Sequence, residues 1–273
     1  MIKSISQWAF KPDRSPLEVF QLAAQHGFPA VELAVAETGP IGLDITRDQC
    51  REIVNAASSN GIQIASLASG LGWHYPVTTA DEVKRERGIQ ILARSLEIGS
   101  WLGVDALLVV PGGVGVDFIP GYGVTSYDLA YANASSAMLE LAPVAEKFGV
   151  ALAIENVWNK FLLSPLEMRD FIDHAGSPFV GSYFDVGNVL VNGYPEQWIN
   201  ILGSRIKRIH FKDFKRAIGN IDGFCDLLDG DVDYPAVIAA LNRIGYDGPV
   251  TAEFFNCEDD LAKLSAAMDK ILQ

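Results

Sequence analysis

The apolar residues of this chain concentrate in eight short segments, each followed by turn residues or by a longer polar segment. Residues 151–155, Ala-Leu-Ala-Ile-Glu, show the pattern clearly, because four apolar side chains run without a break into Glu155. A short continuous apolar run indicates a strand that is buried on both faces, as in parallel sheets. The predicted strands are residues 3–10, 30–35, 62–67, 105–110, 151–155, 180–185, 206–210 and 249–253.

Segments with the start and stop signals of helices alternate with these strands. Ser15 precedes Pro16, and Glu18 follows at the third helical position, which is the pattern of a capping box. A second signal of this kind begins at Ser164, and Gly149 ends a long helical segment in the manner typical of glycine. The predicted helices are approximately residues 15–27, 46–60, 81–102, 126–148, 164–175, 195–202, 234–244 and 258–272.

Strands that alternate with helices in this way predict a parallel sheet, and eight such units predict that the sheet closes into a barrel. The chain has 273 residues, and α/β barrels of about 250 residues routinely form one domain. No Ser/Gly-rich linker, charge block or low-complexity tract divides it. We therefore predict an α/β protein, a single (β/α)8 TIM-barrel domain over residues 1–273. A doubly wound open sheet is the alternative, but no Gly-x-Gly-x-x-Gly motif follows the first strand.

Composition and charge narrow the range of partners. Hydrophobic residues make up 49% of the chain, and its formal net charge of −13 disfavours binding to nucleic acid or to acidic membrane surfaces. No apolar run approaches the roughly 18–20 residues of a membrane helix, and the first residues lack the apolar core of a signal peptide. Cys50, Cys225 and Cys257 are too scattered for a disulfide framework. We therefore expect a cytoplasmic protein with reduced thiols and with neither nucleic acid nor membrane as a partner.

Four chemically active side chains end consecutive predicted strands, the fifth to the eighth: Glu155, Asp185, His210 and Glu253. In a TIM barrel, side chains at the carboxyl ends of the strands meet at one mouth. Three carboxylates and one imidazole form a hard, mostly oxygen site that suits Mn²⁺ or Mg²⁺ and also admits Co²⁺ or Zn²⁺. Any one of these residues alone could be a helix cap or a salt-bridge partner. Their placement at four successive strand ends favours one divalent metal site.

Short motifs around these residues are similar to those of a known superfamily. The most specific are Tyr-Phe-Asp-Val-Gly-Asn at 183–188, Arg-Ile at 205–206 and His-Phe-Lys-Asp at 210–213. By these motifs the chain resembles the xylose-isomerase-like TIM-barrel superfamily, and specifically its sugar 3-epimerase and sugar-phosphate epimerase branch. The segment from Tyr75-Pro76 to Arg85 and Gly88 is similar to L-xylulose-5-phosphate 3-epimerases. The resemblance covers nearly the whole chain.

The resemblance implies a metal-dependent epimerase. It implies that Glu155, Asp185, His210 and Glu253 hold one divalent ion, most simply Mn²⁺, and that Glu155 and Glu253 are the catalytic acid–base pair. Removing a proton next to a ketone requires stabilisation of the enediolate, which a Lewis-acid metal supplies. A base on one face of the carbon and an acid on the other then invert it. The expected reaction is epimerisation of a ketose or ketose phosphate at C3.

Departures from the family pattern leave the substrate open. Many ketose 3-epimerases continue the fifth strand as Glu-x-x-Asn-Arg-Phe-Glu, whereas here Asn159-Lys160-Phe161 falls one residue later and Leu162 replaces the last acid. Asn188 stands where many free-sugar epimerases carry a histidine, a difference shared with sugar-phosphate members. Arg216, six residues after His210, matches a substrate-binding arginine of the ketose epimerases.

Several further side chains are candidates for contact with a small-molecule sugar or sugar phosphate. Trp8 and Trp73, near the ends of the first and third strands, could form an apolar wall, and His74 lies on a loop at the mouth. Basic residues could neutralise a phosphate, or could equally form salt bridges at the rim. The full set of predicted substrate contacts is Asn188, Arg216, Lys212, Trp73, His74, Trp8 and Lys160.

Three other functions use the same fold. An aldose–ketose isomerase of the hydroxypyruvate or hexulose-phosphate type could move a proton between adjacent carbons with the same glutamates. A DNA-repair endonuclease needs a multi-zinc cluster rich in histidine, but His210 is the only histidine at a metal position here. A sugar-binding protein without activity is the third alternative, and the presence of both Glu155 and Glu253 argues against it. The sequence is compatible with a homo-oligomer and does not specify one.

Overall fold

Eight parallel strands form a closed barrel in the computed structural model, which describes all 273 residues. The barrel strands are β1 (Ile2–Ser6), β2 (Ala30–Val35), β3 (Gln63–Ser69), β4 (Ala106–Val109), β5 (Ala151–Glu155), β6 (Val180–Asp185), β7 (Ile206–Phe211) and β10 (Pro249–Ala252). Around the barrel they follow the order β1-β10-β7-β6-β5-β4-β3-β2. Two further strands, β8 (Asp213–Phe214) and β9 (Phe224–Cys225), pair as a small antiparallel hairpin outside it. The predicted TIM barrel is confirmed.

Eight helices connect successive barrel strands or follow the last one. They are α1 (Pro16–Gln25), α2 (Arg47–Ser59), α3 (Glu82–Leu102), α4 (Tyr127–Phe148), α5 (Pro165–His174), α6 (Pro195–Leu202), α7 (Tyr234–Arg243) and α8 (Leu261–Leu272). The capping box predicted at the start of α1 is present, because the Ser15 side chain accepts from the Glu18 backbone N–H and the Glu18 carboxylate accepts from that of Ser15. None of the helices has the length and apolarity needed to cross a membrane.

The first predicted strand is shorter than residues 3–10, and its early end shapes the mouth of the barrel. β1 ends at Ser6, whose hydroxyl accepts a hydrogen bond from the backbone N–H of Trp8 at 3.4 Å. This contact caps a single 3-10 turn, Gln7–Ala9. The turn places Trp8 above the strand ends, where its ring stacks on that of Phe255 with centroids 5.7 Å apart.

The β8–β9 hairpin has no counterpart in the sequence prediction. The buried carboxylate of Asp213 organises the segment, accepting backbone hydrogen bonds from Phe214 and Leu228 at 2.9 Å and from Val232 at 3.1 Å. These three backbone N–H groups therefore have a hydrogen-bond acceptor in the Asp213 side chain. The hairpin therefore forms an ordered wall beside the barrel mouth.

Polar side chains occupy much of the barrel interior. Because side chains alternate along a strand, the register that pairs Asp185 with His210 also brings Tyr183 to the same inner face. Glu32 and Ser66 are likewise register partners on β2 and β3, and both are fully buried. The larger apolar core lies mainly between the barrel and its helices. The barrel therefore has an interior able to support a buried ionic site at its mouth.

Candidate active site

The four residues at the ends of β5, β6, β7 and β10 converge, as the sequence predicts. Glu155, Asp185, His210 and Glu253 each offer a ligand atom, and these four atoms all lie within 4.8 Å of one another. The four strands are neighbours in the barrel, which brings their carboxyl ends together. Asp185 and His210 are fully buried, whereas Glu155 and Glu253 retain 6% and 4% exposure.

The imidazole of His210 is oriented by carboxylates on both sides. Its Nδ1 atom lies 2.8 Å from Oε2 of Glu253, 3.6 Å from Oε1 of Glu155 and 4.0 Å from Oδ2 of Asp185. Its Nε2 atom points away from this cluster and lies 3.0 Å from Oε1 of Glu32. Nδ1 is therefore the nitrogen that faces the candidate metal site.

Glu32 is a site residue that the sequence interpretation did not identify. Its carboxylate accepts hydrogen bonds from the hydroxyls of Ser66, at 3.0 Å, and Tyr183, in addition to its contact with His210. One signal was present, since a glutamate within a strand buried on both faces requires a partner. Glu32 supports the cluster from below, because it fixes the ring that carries one of the four candidate ligands.

The atoms of the cluster fit a divalent cation. Three of them, Oδ2 of Asp185, Nδ1 of His210 and Oε2 of Glu253, are buried, and their charged contacts are with other members of the cluster and with Lys212. Buried carboxylate and imidazole atoms gathered this closely within one small volume favour a shared positive ion. Three carboxylates and one imidazole form a ligand set suited to Mn²⁺, Mg²⁺, Co²⁺ or Zn²⁺.

The ammonium group of Lys212 already places a positive charge beside this cluster. Its Nζ atom lies 2.6 Å from Oε2 of Glu253 and 3.2 Å from Oδ2 of Asp185. These two carboxylates would also be ligands of the cation. Lys212 therefore offsets part of the negative charge, and it competes with a cation for the same oxygen atoms.

The two glutamates have opposite shifts in pKa. Burial, reinforced by the negative charge of Glu253, raises the pKa of Glu155 to about 7. Burial also acts to raise the pKa of Glu253, but the positive charges of Lys212 and His210 outweigh it and the net shift is downward. Neighbouring carboxyl groups with separated pKa values are typical of acid–base pairs.

A cavity of about 650 Å³ lies above the cluster, within the roughly 300–1,000 Å³ range of ligand sites. Of the four cluster residues, Glu155 and Glu253 line it, whereas Asp185 and His210 do not. Aromatic side chains form much of its wall: Trp8, Trp73, Phe118, Trp158, Phe224, Phe254 and Phe255. A molecule in this cavity would therefore meet the two glutamate carboxylates beneath an apolar wall.

Four of the predicted substrate contacts line this cavity, namely Trp8, Trp73, Asn188 and Lys212. Asn188 is tied to the cluster, because its backbone N–H donates to Oδ1 of Asp185 at 2.7 Å. Its side-chain amide also lies 3.4 Å from Oε1 of Glu155. Contact of these four residues with a substrate stays a prediction.

The other three predicted contacts lie further out. Lys160 lines an adjacent cavity and forms a salt bridge with Asp117, with Nζ and Oδ1 2.5 Å apart. Arg216 is exposed, and its guanidinium lies 4.7 Å from the ring centroid of Tyr194. His74 is exposed as well. Neither Arg216 nor His74 lines either cavity, so the structure does not bring them to the cluster.

The fold and the site together make this protein a TIM barrel with a candidate cation site, formed by a buried carboxylate–imidazole cluster at the barrel mouth. Comparison with known proteins gives the family. Residues 20–271 match the model of the xylose isomerase-like TIM barrel family, and the chain belongs to that family. The predicted resemblance is confirmed.

Curated relatives are named as sugar-phosphate epimerases. The chain is 25% identical over 266 residues to the putative L-ribulose-5-phosphate 3-epimerase UlaE of Shigella dysenteriae serotype 1, with 93% of this chain and 87% of the relative covered. It is 24% identical over the same length, with the same coverage, to L-ribulose-5-phosphate 3-epimerase UlaE of Escherichia coli strain SMS-3-5 / SECEC. The predicted epimerase branch therefore agrees with the names of these relatives.

Solved structures share the whole fold. The D-psicose 3-epimerase of Clostridium cellulolyticum H10, crystallised with D-tagatose, has a TM-score of 0.80 and 18% identity, covering 100% of this chain and 98% of that one. The 3-keto-D-glucoside 4-epimerase YcjR of E. coli has a TM-score of 0.80 and 17% identity, covering 100% and 99%. At these identities the likeness establishes the barrel architecture.

Proposed function

We propose that the protein is a divalent-metal-dependent epimerase that inverts C3 of a ketose or ketose phosphate, with Glu155 and Glu253 as its acid–base pair. One observation carries the proposal: of the four clustered residues, only these two glutamates reach the aromatic-walled cavity. The curated relatives are named as 3-epimerases of a ketose phosphate, which supports the same reaction class.

The chemistry divides between the ion and the protein side chains. A divalent cation held by Glu155, Asp185, His210 and Glu253 would supply Lewis-acid stabilisation of the negative charge that develops next to the ketone. The ligand set favours Mn²⁺, with Mg²⁺, Co²⁺ and Zn²⁺ as alternatives. The aromatic residues that wall the cavity would limit access of water to the carbon that loses its proton.

Proton transfer is assigned to the glutamates. The lowered pKa of Glu253 keeps this carboxylate ionised near neutral pH, and Glu253 is assigned to accept the C3 proton. In the metal-free protein burial raises the pKa of Glu155 to about 7. A bound cation would lower this pKa again, so Glu155 is assigned to carry a proton to the opposite face only transiently, during the reaction. In the reverse reaction the two roles exchange, so an enzyme of this kind needs both residues.

An aldose–ketose isomerase remains the second candidate, because the same carboxylates could move a proton between adjacent carbons. The epimerase names of the relatives favour inversion at one carbon. We also propose a cytoplasmic location, on the ground that all three cysteines are free. A small-molecule sugar is the partner that the cavity suits.

The reaction can be tested on the Mn²⁺-loaded protein with a panel of free ketoses and ketose 5-phosphates in deuterated water. Proton NMR should show loss of the C3 proton signal and formation of the C3 epimer, and a chelator should abolish both. Formation of an aldose with exchange at C1 would identify an isomerase instead. Absence of exchange with every sugar would favour a binding protein without activity.

A further inference from the structure

A second cavity of about 440 Å³ adjoins the active-site cavity, and we call it the outer cavity. The two cavities share five wall residues, Phe118, Val157, Trp158, Asn188 and Ile221. They are therefore neighbouring compartments of one barrel mouth. A substituent on a sugar bound above the glutamates could extend past these shared side chains into the outer cavity.

The ring of Trp158 is held firmly between the two cavities. Its Nε1–H donates to the backbone carbonyl of Asn188 at 2.8 Å. The ring also packs on Phe214 and Phe224, with centroid separations of 5.3 Å and 5.1 Å. A fixed aromatic surface shared by two cavities can contact the apolar faces of two linked rings, one in each compartment.

The lining of the outer cavity combines aromatic and amide side chains. Trp198 and Phe161 also line it, although only 6% and 3% of their surface is exposed, so Trp158 is the main aromatic surface available to a ligand. Asn192 and Asn220 contribute exposed amides, and in Asn220 the side-chain oxygen already accepts from the backbone N–H of Asp222, which leaves its NH2 group as a donor. Hydroxyl groups can bond to such amides while apolar ring faces lie on the aromatic side chains. This is a lining suited to an uncharged polyhydroxylated group.

The charges around both cavities disfavour a phosphate in this position. In the outer cavity Lys160 is paired with Asp117. In the active-site cavity the only basic residue is Lys212, which Glu253 and Asp185 already hold. Asp213 and Asp226 add two further carboxylates to that wall. With Asp185 below the wall, the five carboxylates outweigh the charge of Lys212 even when a divalent cation is bound. A phosphate dianion would therefore meet net negative charge, whereas an uncharged substituent avoids this repulsion.

We propose that the outer cavity is a second sugar-binding subsite and that the enzyme acts on a ketose unit carrying a glycosyl group, with no phosphate. This inference rests on the proposed function, because it takes the ketose unit to lie above Glu155 and Glu253. It differs from the substrate class in the names of the curated relatives, which are 3-epimerases of a pentulose phosphate.

Three compounds that share one ketose test the subsite directly: D-fructose, D-fructose 6-phosphate and 6-O-glucosyl-D-fructose. A fourth, 4-O-galactosyl-D-fructose, changes the point of attachment. Binding to the Mn²⁺-loaded protein is measured by calorimetry, and C3 proton exchange by NMR in deuterated water. At least one glycosylated ketose should bind, and show kcat/KM, about tenfold or more better than D-fructose and D-fructose 6-phosphate. Preference for the phosphate, or no gain with either disaccharide, would overturn the subsite.

A matched pair of variants tests whether the preference for a glycosylated ketose arises in the outer cavity. Leu163 lines the outer cavity only and is 53% exposed, whereas Leu166 on α5 lines neither cavity and is 51% exposed. Leu163→Trp should fill the outer cavity and reduce the ratio of disaccharide to D-fructose affinity to near one. Leu166→Trp should leave that ratio unchanged. A ratio that survives Leu163→Trp would contradict the proposal.

The binding and exchange measurements separate the two proposals. Tighter disaccharide binding that Leu163→Trp removes, without exchange of any ketose proton, would support the subsite and refute the epimerase reaction. Exchange of ketose protons without any gain from the glycosyl group would support the reaction and refute the subsite.

Discussion

The Nε2 atom of His210 lies 3.0 Å from Oε1 of Glu32, a fully buried carboxylate on β2 on the far side of the ring from the candidate metal site. A carboxylate accepts hydrogen bonds and donates none, so this contact favours a proton on Nε2. The lone pair of Nδ1 then becomes available toward Glu155, Asp185 and Glu253 once the second ring proton leaves. The contact therefore selects the imidazole form that binds a cation.

Replacing Glu32 by Gln should weaken cation binding. The amide keeps the size of the side chain but removes the negative charge that stabilises the proton on Nε2 of His210. Loss of such a supporting carboxylate typically costs 10–100-fold in metal affinity or activity. Calorimetric titration of Glu32→Gln with Mn²⁺ should show a reduction of about that size.

Glu37→Gln is the matched control for Glu32→Gln. Glu37 also accepts a hydrogen bond from a tyrosine, Tyr75 at 2.9 Å, but it is exposed and belongs neither to the cluster nor to the cavity wall. Its replacement should change Mn²⁺ affinity by less than about twofold. Equal losses in the two variants would refute the supporting role of Glu32.

Lys212→Met should make the metal-free protein less stable and more dependent on metal. The change leaves Asp185 and Glu253 buried without their ammonium partner, and breaking a buried ion pair costs roughly 3–5 kcal/mol. The free energy of unfolding, measured with denaturant, should fall by about that amount without metal. Saturating Mn²⁺ should recover more stability in the variant than it adds to the wild type.

Lys263→Met provides the comparison for Lys212→Met. Lys263 pairs with Asp226, but both side chains are more than half exposed. Exposed pairs contribute about 1 kcal/mol or less, so this variant should unfold almost like the wild type. If Lys212→Met lowered the free energy of unfolding as little as Lys263→Met does, the ammonium group of Lys212 would not be stabilising the buried carboxylates.

Cation binding should release protons at pH 6 and strengthen as the pH rises. In the metal-free protein burial and Glu253 raise the pKa of Glu155 to about 7, so Glu155 is mostly protonated at pH 6. A metal ligand must be deprotonated, and affinity therefore falls as the pH is lowered through about 7. Calorimetry in buffers of different ionisation enthalpy gives the number of protons released for each cation bound. At pH 6 this number should be about one lower for Glu155→Gln than for the wild type. An unchanged count would contradict the assignment.

The sequence predicts the barrel and the convergence of Glu155 and Glu253 because both depend on local signals. Short apolar runs and capping residues determine the elements, and a polar side chain at each strand end is visible without knowing the fold. Glu32 was not identified from the sequence because it lies within its strand and not at the strand end. Its role depends on a contact with His210 on β7, which is 178 residues away in the sequence. The position of Lys212 between two carboxylates depends in the same way on long-range packing.

The walls of the cavity were the least predictable part of the site. Phe118, Phe224 and Phe255 come from connecting segments whose course depends on tertiary contacts. The hairpin that carries Phe224 forms around the buried Asp213 carboxylate, and no short-range motif indicates that arrangement. Trp8 and Trp73, by contrast, were predicted from their proximity to strand ends, and both line the cavity.

Glu155 and Glu253 both line the cavity, and the proposed mechanism assigns one proton-transfer step to each of them. Replacing either by Gln keeps its shape and removes its capacity to exchange a proton. Turnover should fall by about 10²–10⁴-fold in each variant, as is typical of losing a general acid–base group. The turnover of the double variant should be no higher than that of the less active single variant, because the two residues act in one reaction.

The most direct measurement follows deuterium at C3 in each epimer separately, using Mn²⁺-loaded Glu155→Gln and Glu253→Gln with a ketose that the wild type epimerises. In the proposed mechanism each surviving glutamate would act on one face of the carbon. We therefore expect each variant to exchange the C3 proton of one epimer, a different one in each, with little inversion. Undiminished epimerisation by both single variants would contradict the two-glutamate mechanism.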